Sequence, residues 1–137
     1  MQRIANPCTP VRFRPQPPKI EMKLTVIGTG YVGLVTGACF AETGKHVTCL
    51  DIDEQRIDSL RIGKIPFFEP GLSEIVKRNI KEKRLEFTNS YENISEESVF
   101  FLCVGTPDRG DGKPDLADIT SLLDSLSKNL EGKNFIF

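Results

Sequence analysis

The sequence predicts an α/β fold built on a doubly wound parallel sheet, and three observations carry that reading. Short runs rich in β-branched residues alternate with apolar patterns of 3.6-residue period, as repeated βαβ units require. The first run, Lys23–Ile27, passes directly into three closely spaced glycines, Gly28, Gly30 and Gly33, with a helical pattern behind them. The run Val99–Val104 is apolar at every position, which suits a central parallel strand covered on both faces.

At 137 residues the chain has the length of one domain with a sizeable core. Its net charge is −1 and it has no basic stripe, so a nucleic-acid partner is not implied. No apolar run approaches membrane-spanning length. Cys8, Cys39, Cys49 and Cys103 show no metal-ligand spacing. The last three sit in apolar stretches and are expected to pack as small hydrophobes, in a reducing, cytoplasmic compartment. His46 is the sole histidine, so no metal site is expected; it reads as the first residue of the second strand.

Residues 1–21 differ from the rest. They hold five of the nine prolines, with Arg3, Arg12 and Arg14 against one acid, Glu21. They lack the apolar core of a secretory signal, and the prolines prevent the amphipathic helix of a transit peptide. A disordered extension is expected there, with one domain over 22–137.

The strand Lys23–Ile27 and its glycines form the arrangement that a dinucleotide pyrophosphate needs. Gly28 permits a tight turn, Gly30 lets the backbone approach the phosphates, and Gly33 lets the helix pack close on the strand. The free N–H groups and positive dipole end of that helix then face the anion. This makes the predicted sheet one of the Rossmann type. The first helix is expected over Tyr31–Thr43, with Gly44 ending it.

The second strand, His46–Leu50, ends at Asp51. Asp51 and Asp53 compete for the adenosine ribose. Asp53 lies where a helix carrying Ile57 and Leu60 begins and reads as its N-cap. Asp51, at the strand tip, is the ribose ligand. Its carboxylate would accept both ribose hydroxyls and repel a 2′-phosphate, which favours NAD over NADP. Arg56, in the first turn of that helix, orients Asp51, contacts the adenosine or is solvated.

Gly63 stops the second helix. The connection Lys64–Pro70 places Pro70 at the first position of a third helix, with Leu72, Ile75, Val76 and Ile80 on one face. Glu69 reads as a carboxylate stabilising that helix start rather than as a catalytic acid. Leu85–Thr88 is a short strand, and Ser90–Glu97 is polar with room for one helical turn. After Val99–Val104, Gly105-Thr106-Pro107 falls at the switch point where ligands sit. Thr106, by its position, reads as a contact for a cofactor phosphate or ribose, with a plain turn residue before Pro107 as the alternative. Asp115 and Asp118 open a last helix that buries Ile119, Leu122, Leu123, Leu126 and Leu130. Asn134–Phe137 begins a fifth strand. The chain stops inside it, as a fragment truncated at that strand would.

Five stretches resemble the N-terminal NAD-binding domain of the UDP-glucose/GDP-mannose dehydrogenase family. They are Gly28–Gly37, the strand ending Asp51-Ile-Asp53, Ile65–Leu72, Arg84–Thr88 and Phe101–Pro107. Within the family, Pro66–Leu72 is most similar to the members that act on UDP-glucose. By position, the resemblance implies cofactor contacts at Tyr31, Val32, Asp51, Arg56 and Thr106. It implies NAD as cofactor and, for the full-length homo-oligomeric enzyme, UDP-glucose as substrate. The sugar C6 alcohol is then oxidised to the carboxylate of UDP-glucuronate by two NAD, through a thioester on a cysteine. The family's catalytic cysteine, lysine and glutamate fall beyond the position of Phe137. Cys39, Cys49 and Cys103 do not match the nucleophile, so no catalytic residue is expected in this sequence. A stand-alone nucleotide-binding module, or a dehydrogenase for GDP-mannose or UDP-N-acetylmannosamine, is the alternative.

Overall fold

A computed structural model describes residues 22–94 and 98–129. Four parallel strands, β1 (Lys23–Ile27), β2 (His46–Leu50), β3 (Leu85–Thr88) and β4 (Ser98–Leu102), lie in the order β3-β2-β1-β4. The chain steps outward from β1 to β3, then crosses to the opposite side of β1. That reversal opens a crevice at the carboxyl ends of β1 and β4. The predicted α/β class and parallel sheet are therefore observed.

Side chains alternate along each strand, which divides the core between the two faces. On one face Leu24 and Val26 of β1, Val47 and Cys49 of β2, and Leu85 and Phe87 of β3 form one cluster. Three helices cover it: α1 (Tyr31–Glu42), α2 (Glu54–Arg61) and α3 (Leu72–Lys81). On the other face Ile27, Leu50 and Phe100 meet Ile94 and, from α4 (Ala117–Asn129), Leu122 and Leu126. Helices on both faces are what a double winding produces.

Helix α1 packs close on the sheet because its buried face is mostly glycine and alanine, with Leu34 as its one large side chain. Leu34, Ala38 and Ala41 are fully buried, and a Cβ on Gly37 would lie 2.6 Å from the Cys49 Sγ. A polar network around one buried residue, Asn79, ties the far end of α1 to α3 and the start of β3. Asn79, fully buried, donates to Glu42 Oε2 at 2.7 Å and to Ile75 O at 2.8 Å. Arg84 donates from Nε to Asn79 Oδ1 at 2.8 Å and to Ala41 O at 3.0 Å. Arg78 closes the group on Glu42 at 2.7 Å.

Several expectations need correction. Pro70 does not open α3: the helix starts at Leu72 after Gly71, whose φ of 80° turns the chain into it. The Glu69 carboxylate does not serve its own helix start; it accepts the Tyr31 hydroxyl at 2.6 Å. Strand β4 ends at Leu102, short of Val104, and is an edge among the described residues, with Leu102 37% exposed. Cys39 is exposed instead of packed, and so is Leu123 on α4. Cys8, Leu130, residues 1–21 and the expected fifth strand over Asn134–Phe137 lie outside the described residues. The predicted turn after β3 is a single 3-10 turn, Tyr91–Asn93, capped by Ser90.

A candidate dinucleotide site at the switch point

A cavity of about 570 Å3 lies at the carboxyl ends of β1, β2 and β4, within the size range of small-molecule sites. Gly28, Gly30, Asp51, Arg56 and Gly105 line one side. Asp118, Ser121 and Ser125 of α4 line the other, and Tyr91 contributes from the 3-10 turn.

The three glycines have separate steric reasons to be glycine. Gly28 has φ of 96°, a conformation that a Cβ makes costly. A Cβ on Gly33 would lie 1.8 Å from the Gly28 carbonyl oxygen. A Cβ on Gly30 would meet no protein atom within 4 Å, so the space in front of it is open for a ligand. Gly30 caps α1 without a side chain, and the first helical bond is Leu34 N–H to Gly30 O at 3.0 Å. The N–H groups of Tyr31, Val32 and Gly33 precede that bond and have no acceptor within the helix.

Asp51 is only 8% exposed. Its Oδ2 accepts the Thr29 N–H and hydroxyl at 2.7 Å each, and Arg56 Nη1 at 3.2 Å. Its Oδ1 accepts the Asp53 N–H at 3.0 Å. Burial pushes the carboxyl up. The Thr29 hydroxyl, the Asp53 and Thr29 N–H groups and the Arg56 charge outweigh it, and hold the pKa below the ordinary carboxylate value. Asp53 is the N-cap of α2, accepting the Arg56 N–H at 3.0 Å, as its sequence position implied. Arg56 orients Asp51 directly and also reaches Asp53 Oδ2 at 3.4 Å.

The structure brings Gly28, Gly30, Asp51 and Arg56 together. It leaves the side chains of Tyr31, Val32 and Thr106 outside the cavity. Tyr31 and Val32 are 56% and 65% exposed, and the Tyr31 ring rests on Phe67 at 5.0 Å between centroids. Its hydrogen bond to Glu69, with the Glu69 charge and some burial, raises the phenol pKa. Thr106 is exposed next to the lining residue Gly105. Sequence reasoning missed Thr29 and the polar face of α4. A hydroxyl between two glycines is the only signal for the first. The i, i+3, i+7 spacing of Asp118, Ser121 and Ser125 is the signal for the second. Among the described residues no group of three or more metal-ligating side chains occurs, and no helix is long and apolar enough to cross a membrane.

The open cradle at Gly30, the free N–H groups and the acid at the strand tip fit a dinucleotide. The family model for the NAD binding domain of the UDP-glucose/GDP-mannose dehydrogenase family matches residues 22–137. UDP-glucose 6-dehydrogenase YwqF of Bacillus subtilis is 47% identical over 111 residues, which are 80% of this chain and 25% of that protein. The UDP-glucose 6-dehydrogenase of Rhizobium meliloti is 46% identical over 113 residues, 81% of this chain and 26% of that protein. Among solved structures, a UDP-glucose dehydrogenase from Pyrobaculum islandicum superposes with a TM-score of 0.74 at 33% identity, covering 82% of this chain and 27% of that one. A GDP-mannose dehydrogenase from Pseudomonas aeruginosa superposes with a TM-score of 0.69 at 31% identity, covering 80% of this chain and 24% of that one. The chain spans about a quarter of the length of the curated relatives it matches.

Proposed function

The chain belongs to the UDP-glucose/GDP-mannose dehydrogenase family and matches its NAD binding domain, and from that premise we propose that it holds the cofactor for a UDP-glucose 6-dehydrogenase. The observation that carries the cofactor side is the buried Asp51 carboxylate beside the open face of Gly30 in one cavity. The α1 N-terminus would take the pyrophosphate, and Asp51, with Arg56 beside it, the adenosine ribose. Bound NAD would supply a hydride acceptor. What these residues supply is binding, orientation and a negative charge that disfavours a 2′-phosphate.

The substrate assignment rests on relatives named UDP-glucose 6-dehydrogenases. The solved structures discriminate less, since GDP-mannose and UDP-N-acetylmannosamine dehydrogenases superpose about as well. In this reading Cys49 and Cys103 have packing roles only. A nucleophilic cysteine must ionise, whereas burial pushes the Cys49 thiol up to about 12 and also raises Cys103.

Calorimetry with NAD and NADP on the folded chain tests the cofactor reading. NAD is expected to bind more tightly, and Asp51→Ala to cost about 1.5–3 kcal/mol, the worth of charge-assisted bonds to the ribose. Tighter binding of NADP, or no loss in the variant, would overturn it. For the substrate, the protein carrying this domain should reduce NAD with UDP-glucose in preference to GDP-mannose. The reverse preference would sink that assignment.

A further inference from the structure

The two oxygens of Asp51 are not equivalent. A carboxylate oxygen offers about two lone-pair sites, and the two donors of Thr29 fill those of Oδ2 from 2.7 Å each. Arg56 comes to the same oxygen third and longest, at 3.2 Å. Oδ1 accepts the Asp53 N–H alone among these donors, at 3.0 Å, and keeps one site open. Thr29 is fully buried, so its hydroxyl has no solvent to turn to.

We infer that Thr29 is a positioning and specificity-determining residue for the adenosine ribose, one that commits Oδ2 to the glycine loop and leaves Oδ1 to the ligand. This rests on the NAD reading above. One ribose hydroxyl takes the open site on Oδ1, whereas Oδ2, filled by Thr29, offers the other hydroxyl only the third, longer approach that Arg56 now has. The bland alternative is that Thr29 only ties the loop to β2 and affects stability alone. The two differ in what the carboxylate itself does. The charged and titratable groups that line the cavity with Asp51 are Arg56 from α2, Asp53 at its N-cap, Tyr91, Cys103 and Asp118. Arg56 is the only cation in that set. Without the Thr29 hydroxyl, the ionised form loses one of its two shortest bonds, and Asp51 takes up its proton at a higher pH.

The test compares the whole chain with its Thr29→Val and Thr29→Ser variants. The Asp51 carboxyl carbon is titrated by NMR without cofactor, and NAD and NADP binding are then measured by calorimetry at neutral pH. Valine should raise the titration midpoint, weaken NAD by about tenfold and narrow the preference over NADP. Serine should restore all three. Thr29→Ala serves in place of valine if that variant does not fold. A titration in the valine or alanine variant that coincides with the unmodified chain overturns the inference, as does a serine variant that behaves like valine. If the unmodified chain binds NAD and valine binds it equally well, this inference alone fails. If the unmodified chain binds no NAD, the cofactor reading fails with it.

Discussion

A methyl group added at Gly30 meets open space, and one added at Gly33 meets the Gly28 carbonyl oxygen at 1.8 Å. Two substitutions that look alike in sequence therefore separate folding from binding. Gly30 has φ of −67° and ψ of −168°, which alanine adopts freely. Gly30→Ala is expected to leave the melting temperature unchanged or slightly raised, since a compatible Gly→Ala change gains about 0.4–1 kcal/mol. It should still weaken NAD by roughly 1–3 kcal/mol, because the new Cβ crowds the ligand's approach. Gly33→Ala should unfold the loop, because backbone cannot yield by so much. Melting curves and calorimetry on both variants check this; equal stability of the two would contradict the packing role of Gly33. The steric demands at Gly28 and Gly33 were legible in the sequence because glycine spacing encodes sterics directly. The place of Thr29 was not, since a residue between two glycines can face either way until the strand carrying Asp51 lies beside it.

Helix ends and helix faces were legible to different degrees. Asp53 was found as an N-cap because the cap and its helix are local in sequence. Pro70 was misplaced because proline is compatible with both the first turn and the approach to a helix, and Gly71 took the turn. Glu69 was misread because its partner, Tyr31, is distant in sequence and belongs to α1. Leu123 follows the apolar composition of α4 but lies off the face that meets Ile27, Leu50 and Phe100. The contact of α1 with the sheet gives an element-level prediction. At Gly37 a Cβ would press on one atom, the Cys49 Sγ at 2.6 Å, while Val47 and Val26 stand at ordinary contact distances of 3.6 and 3.7 Å. Gly37→Ala should destabilise by roughly 1–3 kcal/mol. Adding Cys49→Ala removes the obstructing atom, so the double variant should be more stable than the sum of the single effects. Strict additivity in denaturant titrations would mean that α1 shifts as a body instead.

At the scale of the molecule, two carboxylates tie together parts that the sheet alone does not join. Asp51 links β2 to the glycine loop and α2, and Glu42 links α1 to α3. Bonds from Asn79 and Arg78 hold the Glu42 pKa below its ordinary value, as the Thr29 and Asp53 donors do for Asp51. A depressed folded pKa means that the unfolded chain binds more protons in the acid range. Stability is then full above the unfolded values, near 4, and falls as pH drops through them toward the folded ones. Cys49 sets the opposite limb. Its thiol would ionise near pH 8.5 in the unfolded chain but is held to about 12 when folded. Stability therefore falls as pH rises past roughly 8.5. Melting temperature against pH should form a plateau with two shoulders. Asp51→Asn should shrink the acid shoulder to the part that Glu42 supplies, and Cys49→Ala the alkaline one to the part that Cys103 supplies, each leaving the other shoulder in place. An acid shoulder unchanged in Asp51→Asn would mean that the carboxylate linking the glycine loop to α2 does not contribute to holding the fold together.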